Sequence, residues 1–253
     1  MKMNNKQLEQ YVSQLLNVGK IRDYCPNGLQ VEGRAEVQRV VCGVTASQAL
    51  IDRAVDCHAD AIFVHHGYFW KNEDPRIIGM KKARLQALLK ADINLYAYHL
   101  PLDVHPLYGN NAQLATLLDI EVLQPLSAVE PEGMVMLGQL REPMSAASLT
   151  SHIQQRLGRT VLAEQINDQP IKTLAWCTGG GQSFIQQAAE AGVDAFISGE
   201  VSEQTIHIAR EMGIHFFAAG HHATERYGIK ALGQHLADAW DLQVEFIDID
   251  NPA

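Results

Sequence analysis

Residues 41–66 and 175–200 of this chain align without a gap at a shift of 134 positions, and this repetition constrains the fold more than any other feature. Gln48 falls on Gln182, Ile51 on Ile185, Ala54 on Ala188, Asp60 on Asp194 and Ala61 on Ala195. In both copies an apolar strand-like run leads through a turn of small residues into an amphipathic helix and then a second apolar run. The correspondence continues past the repeat. Residues 93–98 match 214–219 at a shift of 121, and His99-x-x-x-Asp103 matches His221-x-x-x-Glu225 at a shift of 122. Unrelated βαβ units share such patterning by chance, but corresponding polar groups at corresponding strand ends favour a true duplication. The expected fold class is α/β, with two similar α/β halves, mostly parallel sheets and a small linking segment.

In the first half, residues 1–126, strands are expected at 37–44, 61–64, 93–98 and 121–123, and helices at 47–57, 81–90 and 111–118. In the second half, 170–253, strands are expected at 171–177, 195–198, 214–218 and 243–249. Its helices are expected at 183–191, 203–211 and 224–238. Residues 127–169 carry Pro131, Gly133 and Pro143 at turns, a strand at 134–140 and a helix at 146–157. This stretch reads as a linking segment or small subdomain, with His152 a surface residue. An amphipathic helix is expected within residues 1–20, through Leu8, Tyr11, Val12, Leu15 and Leu16. Pro26-Asn27-Gly28-Leu29-Gln30 is a turn by residue type.

The chain has 253 residues and 47% hydrophobic content, enough for one large core or two modest ones. Its net charge is −9 with the basic residues scattered, so no Lys/Arg block suggests binding to duplex nucleic acid. The four cysteines form no C-x-x-C pair and read as buried free thiols in a reducing compartment. No apolar run reaches the roughly 18–20 residues of a membrane span. A soluble, cytoplasmic protein is expected.

The polar residues that break these apolar runs share one topological position. Parallel α/β sheets put ligands beyond the carboxyl ends of their strands. His65-His66, His99, Asp103, Glu200, His221, His222 and Glu225 all stand at such ends. Imidazole and carboxylate are the usual ligands of borderline and hard divalent metals. If a helix begins at Gly220-His221, His221 and Glu225 share a face one turn apart. Pro101 disfavours helix at Leu100, so a loop must bring Asp103 round. His65 and His66, adjacent on a strand, face opposite ways and could reach two metals, or one could pack. Five or more such groups exceed the three a single hydrolytic zinc-type ion needs, and suit two ions about 3.5–4 Å apart.

Two further segments carry weaker signals. Thr178-Gly-Gly-Gly-Gln-Ser183 joins a strand to a helix, either as a phosphate cradle or as a plain tight turn, and it lacks the lysine of a Walker loop. Tyr68, Phe69 and Trp70 follow His66 and could stack on a substrate ring or pack in the core.

Val64-His-His-Gly67, His99-Leu-Pro-Leu-Asp103 and Gly220-His-His-Ala-Thr-Glu225, in this order, resemble the Nif-three-like family. Its bacterial members are commonly labelled GTP cyclohydrolase I type 2 homologues. Pro26-Asn-Gly-Leu-Gln-Val-Glu-Gly33 and residues 178–183 are similar to that family as well, and the resemblance runs along nearly the whole chain. It implies a dinuclear site of two divalent ions per subunit (iron, zinc or manganese), with His65, His66, Asp103, His221 and Glu225 as ligands. Glu225 would bridge the ions. Glu225 and His99 are the candidates for catalytic roles. The resemblance also implies a homohexameric ring. Two functions are expected to compete. One is a metal-dependent hydrolase acting on a purine nucleotide through activated water. The other is a non-catalytic metal-binding ring with an interaction or regulatory role.

Overall fold

The computed structural model describes residues 3–253. The first two residues of the expected N-terminal helix therefore lie outside it. In chain order the first elements are β1 (Met3–Asn4), α1 (Asn5–Leu15), β2 (Gly28–Val31), β3 (Glu36–Val37), β4 (Arg39–Thr45), α2 (Gln48–Asp56), β5 (Ala61–His66), α3 (Gly79–Ala91) and β6 (Asn94–Ala97). There follow α4 (Leu100–Val104), α5 (Asn110–Leu117), β7 (Ile120–Pro125), β8 (Met136–Met144), α6 (Ala146–Leu157), β9 (Leu162–Glu164) and β10 (Ile171–Cys177). The chain closes with α7 (Ile185–Glu190), β11 (Ala195–Ser198), α8 (Glu203–Met212), β12 (His215–Ala218), α9 (His221–Trp240) and β13 (Gln243–Phe246).

The residues pack as two compact units. One holds residues up to Leu102 together with Ile229–Asp250, and the other holds Asp103–Gly228 with the last three residues. The chain thus leaves the first unit within α4 and re-enters it within α9. Residues 127–169 supply β8, α6 and β9 to the second unit, and the end of the expected second half, 229–250, belongs to the first.

The first unit is built on a five-stranded sheet of order β13-β4-β5-β6-β2, parallel except where β2 joins. Alternate residues along the strands pack to opposite faces, as the pleat requires. Val40, Cys42, Phe63 and Tyr96 meet Leu8 and Val12 of α1 and Ile229, Leu232 and Leu236 of α9. Val41, Ile62, Val64 and Leu95 meet Leu50 and Ile51 of α2 and Leu85 and Leu88 of α3. Helices cover both faces, which is why these strands read as unbroken apolar runs rather than alternating ones. Helix α1 starts cleanly because the Asn4 side chain accepts from the amides of Lys6 and Gln7.

The second unit carries a six-stranded sheet of order β7-β8-β10-β11-β12-β9. Its centre, β10-β11-β12, is parallel, and its flanks are antiparallel. Leu174, Trp176, Ile197 and Phe217 pack against Leu114 and Leu118 beside α5 and Leu149 and Ile153 of α6. The fold is α/β with a parallel core in each large sheet. His152 departs from expectation: it is half-buried on α6, with Nε2 3.1 Å from the Leu118 carbonyl.

Candidate metal centre

Three histidines converge in the first unit. His65 and His66 end β5, and His99 follows β6, the neighbouring strand. The rings of His65 and His66 lie 4.5 Å apart, and that of His99 lies 5.1 and 5.8 Å from them, centroid to centroid. One nitrogen from each comes within 4.8 Å of the other two. His65 is fully buried and His99 nearly so.

Hydrogen bonds decide which nitrogen each ring presents. The Nδ1 of His65 lies 3.0 Å from the Tyr98 carbonyl, which can only accept, so the proton sits on Nδ1 and the lone pair on Nε2. The Nδ1 of His99 lies 2.9 Å from Asp23 Oδ1 and donates for the same reason. The Nδ1 of His66 meets the Thr45 hydroxyl at 3.2 Å. Two other histidines show the opposite arrangement. His105 accepts at Nδ1 from the amides of Leu107 and Tyr108, and His215 accepts at Nδ1 from the amide of Ile166. Rings held by Nδ1–H donation, with Nε2 left as ligand atom, are the usual form of metal-binding imidazole.

A clamp fixes the turn after β6. Asn27 accepts from the amide of His99 at 2.7 Å, and Asp23 Oδ2 accepts from the amide of Leu100 at 3.0 Å. These side chains satisfy the first free amides of α4, and Pro101 falls in its first turn, where proline is tolerated. The expected loop at 100–103 is therefore a short helix, because its amide partners come from residues some 75 positions upstream. Burial alone would raise the Asp23 carboxyl, but its hydrogen bond to and the charge of His99, with help from Asn27 and Tyr24, pull it down to about 2. Trp70 and Tyr24 each set a ring edge-on to His99 at 5.0 Å. Of the three aromatics after His66, Tyr68 is core, its hydroxyl donating to the Ala46 carbonyl, and Phe69 is exposed beneath Lys81.

The second unit gathers the carboxylates. Helix α9 begins at His221, so His221 and Glu225 stand one turn apart, with Nε2 3.1 Å from Glu225 Oε2. The Nδ1 of His221 bonds Glu200 Oε1 at 2.7 Å. Burial would lower the His221 pKa, but Glu225 and Glu200 outweigh it and hold it up to about 9. Glu225 is buried, and its carboxylate lies over Gly179: a Cβ there would sit 2.0 Å from Glu225 Oε1 and 3.1 Å from His221 Nε2. Gly179 also has φ +62, so the glycine-rich turn opens room for a carboxylate. Its carbonyl accepts from the amides of Gly199 and Glu200. Asp103, also buried, accepts from Asn110 Nδ2 at 2.8 Å and from Thr178 Oγ1 at 3.4 Å. A cavity of about 420 Å³ borders Asp103, with His105, Met136 and Trp176 among its walls.

Sequence reading missed Asp23, Asn27, Asn110 and Thr178 as supports of these residues. Only Asn27 and Thr178 lay in segments already singled out. Among the described residues, no close group of potential ligand atoms includes His222.

The architecture defines an α/β protein of two compact units whose strand ends carry His, Asp and Glu side chains able to hold metal ions. The chain belongs to the Duf34/NIF3 (NGG1p interacting factor 3) family, whose model matches residues 3–252. It is 60% identical over 254 residues to the GTP cyclohydrolase 1 type 2 homolog of Yersinia pestis, covering 99% of this chain and 100% of that one. The solved structure of protein ybgI shares 58% identity and superposes with a TM-score of 0.96 over 99% of this chain and 100% of that chain. TTHA1606 from Thermus thermophilus shares 32% identity with a TM-score of 0.89, covering 99% and 100%. No helix among the described residues is long and apolar enough to cross a membrane.

Proposed function

We propose that the protein is a metal-dependent hydrolase of a purine nucleotide, working with two divalent cations held by His65, His66, Asp103, His221 and Glu225. The observation that carries this reading is the convergence of His65 and His66, with nitrogens within 4.8 Å of one another and the His65 Nδ1 committed to an oxygen acceptor so that its Nε2 is the ligand atom. Buried carboxylates at Asp103 and Glu225 supply the negative charge that two cations require. The donors fit: mixed nitrogen and oxygen ligands suit zinc, iron and manganese. Bound cations would supply Lewis acidity and lower the pKa of water at the site. The chain's own residues do the rest. Glu200 orients His221, Asn110 and Thr178 orient Asp103, and Gly179 leaves room for the Glu225 carboxylate. The cavity beside Asp103 is of small-molecule size. The names of the bacterial relatives supply the nucleotide class, the family resemblance supplies a homohexamer, and the composition supplies a cytoplasmic location.

The test is metal analysis of purified protein, followed by a nucleotide hydrolysis panel with zinc, iron and manganese in turn. Two ions per subunit and turnover lost in Asp103→Ala and Glu225→Ala are expected. Equal turnover in wild type and both variants, or no turnover with any ion and nucleotide, overturns the proposal. The second result leaves a metal-binding ring without catalysis.

A further inference from the structure

We infer that Arg159 is a positioning residue for His221: its guanidinium seats on Gly220 and holds the main-chain oxygen of Ala253 as a cap on the first turn of α9. The consequence drawn below rests on reading His221 as a metal ligand, but the geometry does not. An α-helix opens with amides that have no partner inside the helix. In α9 the amide of His222 donates to the Ala253 oxygen at 3.2 Å. The same oxygen accepts from Arg159 Nη1 at 3.0 Å. Arg159 Nε donates to the Thr160 carbonyl at 3.1 Å, which fixes the guanidinium from its other side. The amide of Ala253 donates to Asn251 Oδ1 at 3.0 Å, so the segment that carries the cap is tied as well. All of these residues belong to the second unit.

Gly220 shows how closely Arg159 is seated. A Cβ there would stand 2.5 Å from Arg159 Cζ, and its φ of +100 is one that side chains rarely adopt. The turn is braced from within by its own unit: the Gly220 amide donates to the Gly199 carbonyl at 2.8 Å, and Thr224 Oγ1 donates to the Gly220 carbonyl at 2.8 Å. Arg159 and Ala253 add the brace at the His222 amide. The first unit indicates that this position matters. Leu100 corresponds to His222 at the shift of 122 that relates the two histidine motifs. Its amide is also taken by an oxygen from a distant part of the chain, Asp23 Oδ2, at 3.0 Å. Each copy therefore caps the amide that follows its motif histidine, and each recruits a different segment to do so. Without the cap the first turn of α9 frays, and His221 stands on that turn. Glu200 sets the direction of the His221 ring through Nδ1, and the brace at Arg159 sets where its backbone lies.

Titration of the full chain with cobalt(II) alone, read by calorimetry and by visible absorption, tests the inference. Arg159→Ala is expected to bind one of two ions about 10-fold more weakly, with that ion's absorption bands shifted and the other ion unchanged. Deletion of residues 251–253 is expected to do the same, and the two changes together no more than either alone, because they remove one brace. Arg159→Lys, which can still donate to the Ala253 oxygen, is expected to regain part of the affinity. Arg156→Ala, three residues upstream and paired with Asp119, is expected to leave both ions as they are. Wild-type affinity and spectrum in Arg159→Ala, or losses that add in the double change, overturn the inference. If the wild type takes up no ion, the metal reading fails, and hydrogen exchange of the His222 amide decides the brace. Faster exchange in both Arg159→Ala and the deletion supports it, and exchange equal to wild type overturns it.

Discussion

The strands β4-β5-β6 of one unit and β10-β11-β12 of the other are the same scaffold with different ends. Val40 pairs with Ala61 and Leu174 with Ala195, 134 positions on; Ala61 pairs with Asn94 and Ala195 with His215, at shifts of 134 and 121. Even the staple is repeated. Asp60 Oδ2 accepts from the amides of Gln38 and Arg39, and Asp194 Oδ2 accepts from those of Lys172 and Thr173. The divergence begins where the strands stop. Thr45, which bonds His66, corresponds to Gly179, which makes room for Glu225. His66 itself corresponds to Glu200, which orients His221. Gly220, at φ +100, is the extra residue that changes the shift from 121 to 122 just before the second histidine motif. Register and staples are held by packing and backbone bonds, so both copies keep them. The side chains at the strand ends are what differ: one copy is rich in imidazole there and the other in carboxylate.

If the staples are equivalent, removing either should cost comparable stability. Asp60→Ala strands two backbone amides and breaks the ion pair with Arg34, and about 3 kcal/mol is expected. Asp194→Ala strands two amides and the Thr173 hydroxyl without an ion pair, and about 2 kcal/mol is expected. Urea unfolding measures both, and a difference well beyond this would break the equivalence of the two scaffolds. At the ends the comparison sharpens. Gly179→Ala forces a Cβ into a left-handed backbone and against Glu225, and roughly a 50-fold loss of metal affinity is expected by titration calorimetry, about 2 kcal/mol of displacement and strain. Glu200→Gln keeps the shape but weakens the hold on His221, and a roughly 10-fold loss is expected.

The smallest effect is acid sensitivity. Burial would raise the Asp194 carboxyl, but the amides of Thr173 and Lys172 and the Thr173 hydroxyl bring it below its usual 3.8. Its stabilising contribution is complete above 3.8 and is lost as pH falls through the lowered folded value. Unfolding midpoints of wild type and Asp194→Asn are therefore expected to converge as the pH drops below 3.8. A gap that stays constant would remove the staple from the account.

Much of this was written in local pattern. The repeat placed β4, β5, β10 and β11 to within two residues, because strands covered on both faces are apolar without interruption. His221 and Glu225 were legible as a pair because helical spacing is local. Asp60 and Asp194 were visible as an aligned identity, but what they bind was not. What stayed hidden depends on distant partners. Asp23 meets His99 across 76 positions, and no periodicity marks such a residue. Residues 28–31 carry the turn signals of Pro26-Asn27-Gly28, yet they form β2 because β6 offers an antiparallel edge. The helix at Leu100 ran against proline's local preference and was decided by Asp23 and Asn27.

The outer strand of the first sheet comes from the far end of the chain: β13 lies alongside β4. During synthesis, β4 leaves the ribosome about 200 residues before its neighbour exists. At about 5–20 residues per second, that is an interval of roughly 10–40 s. For that time a largely apolar strand has a bare edge and one face covered only by α1, since α9 also arrives late. The first unit is thus begun first and completed last, and a stop codon anywhere before residue 246 would leave it open, whatever had already folded downstream.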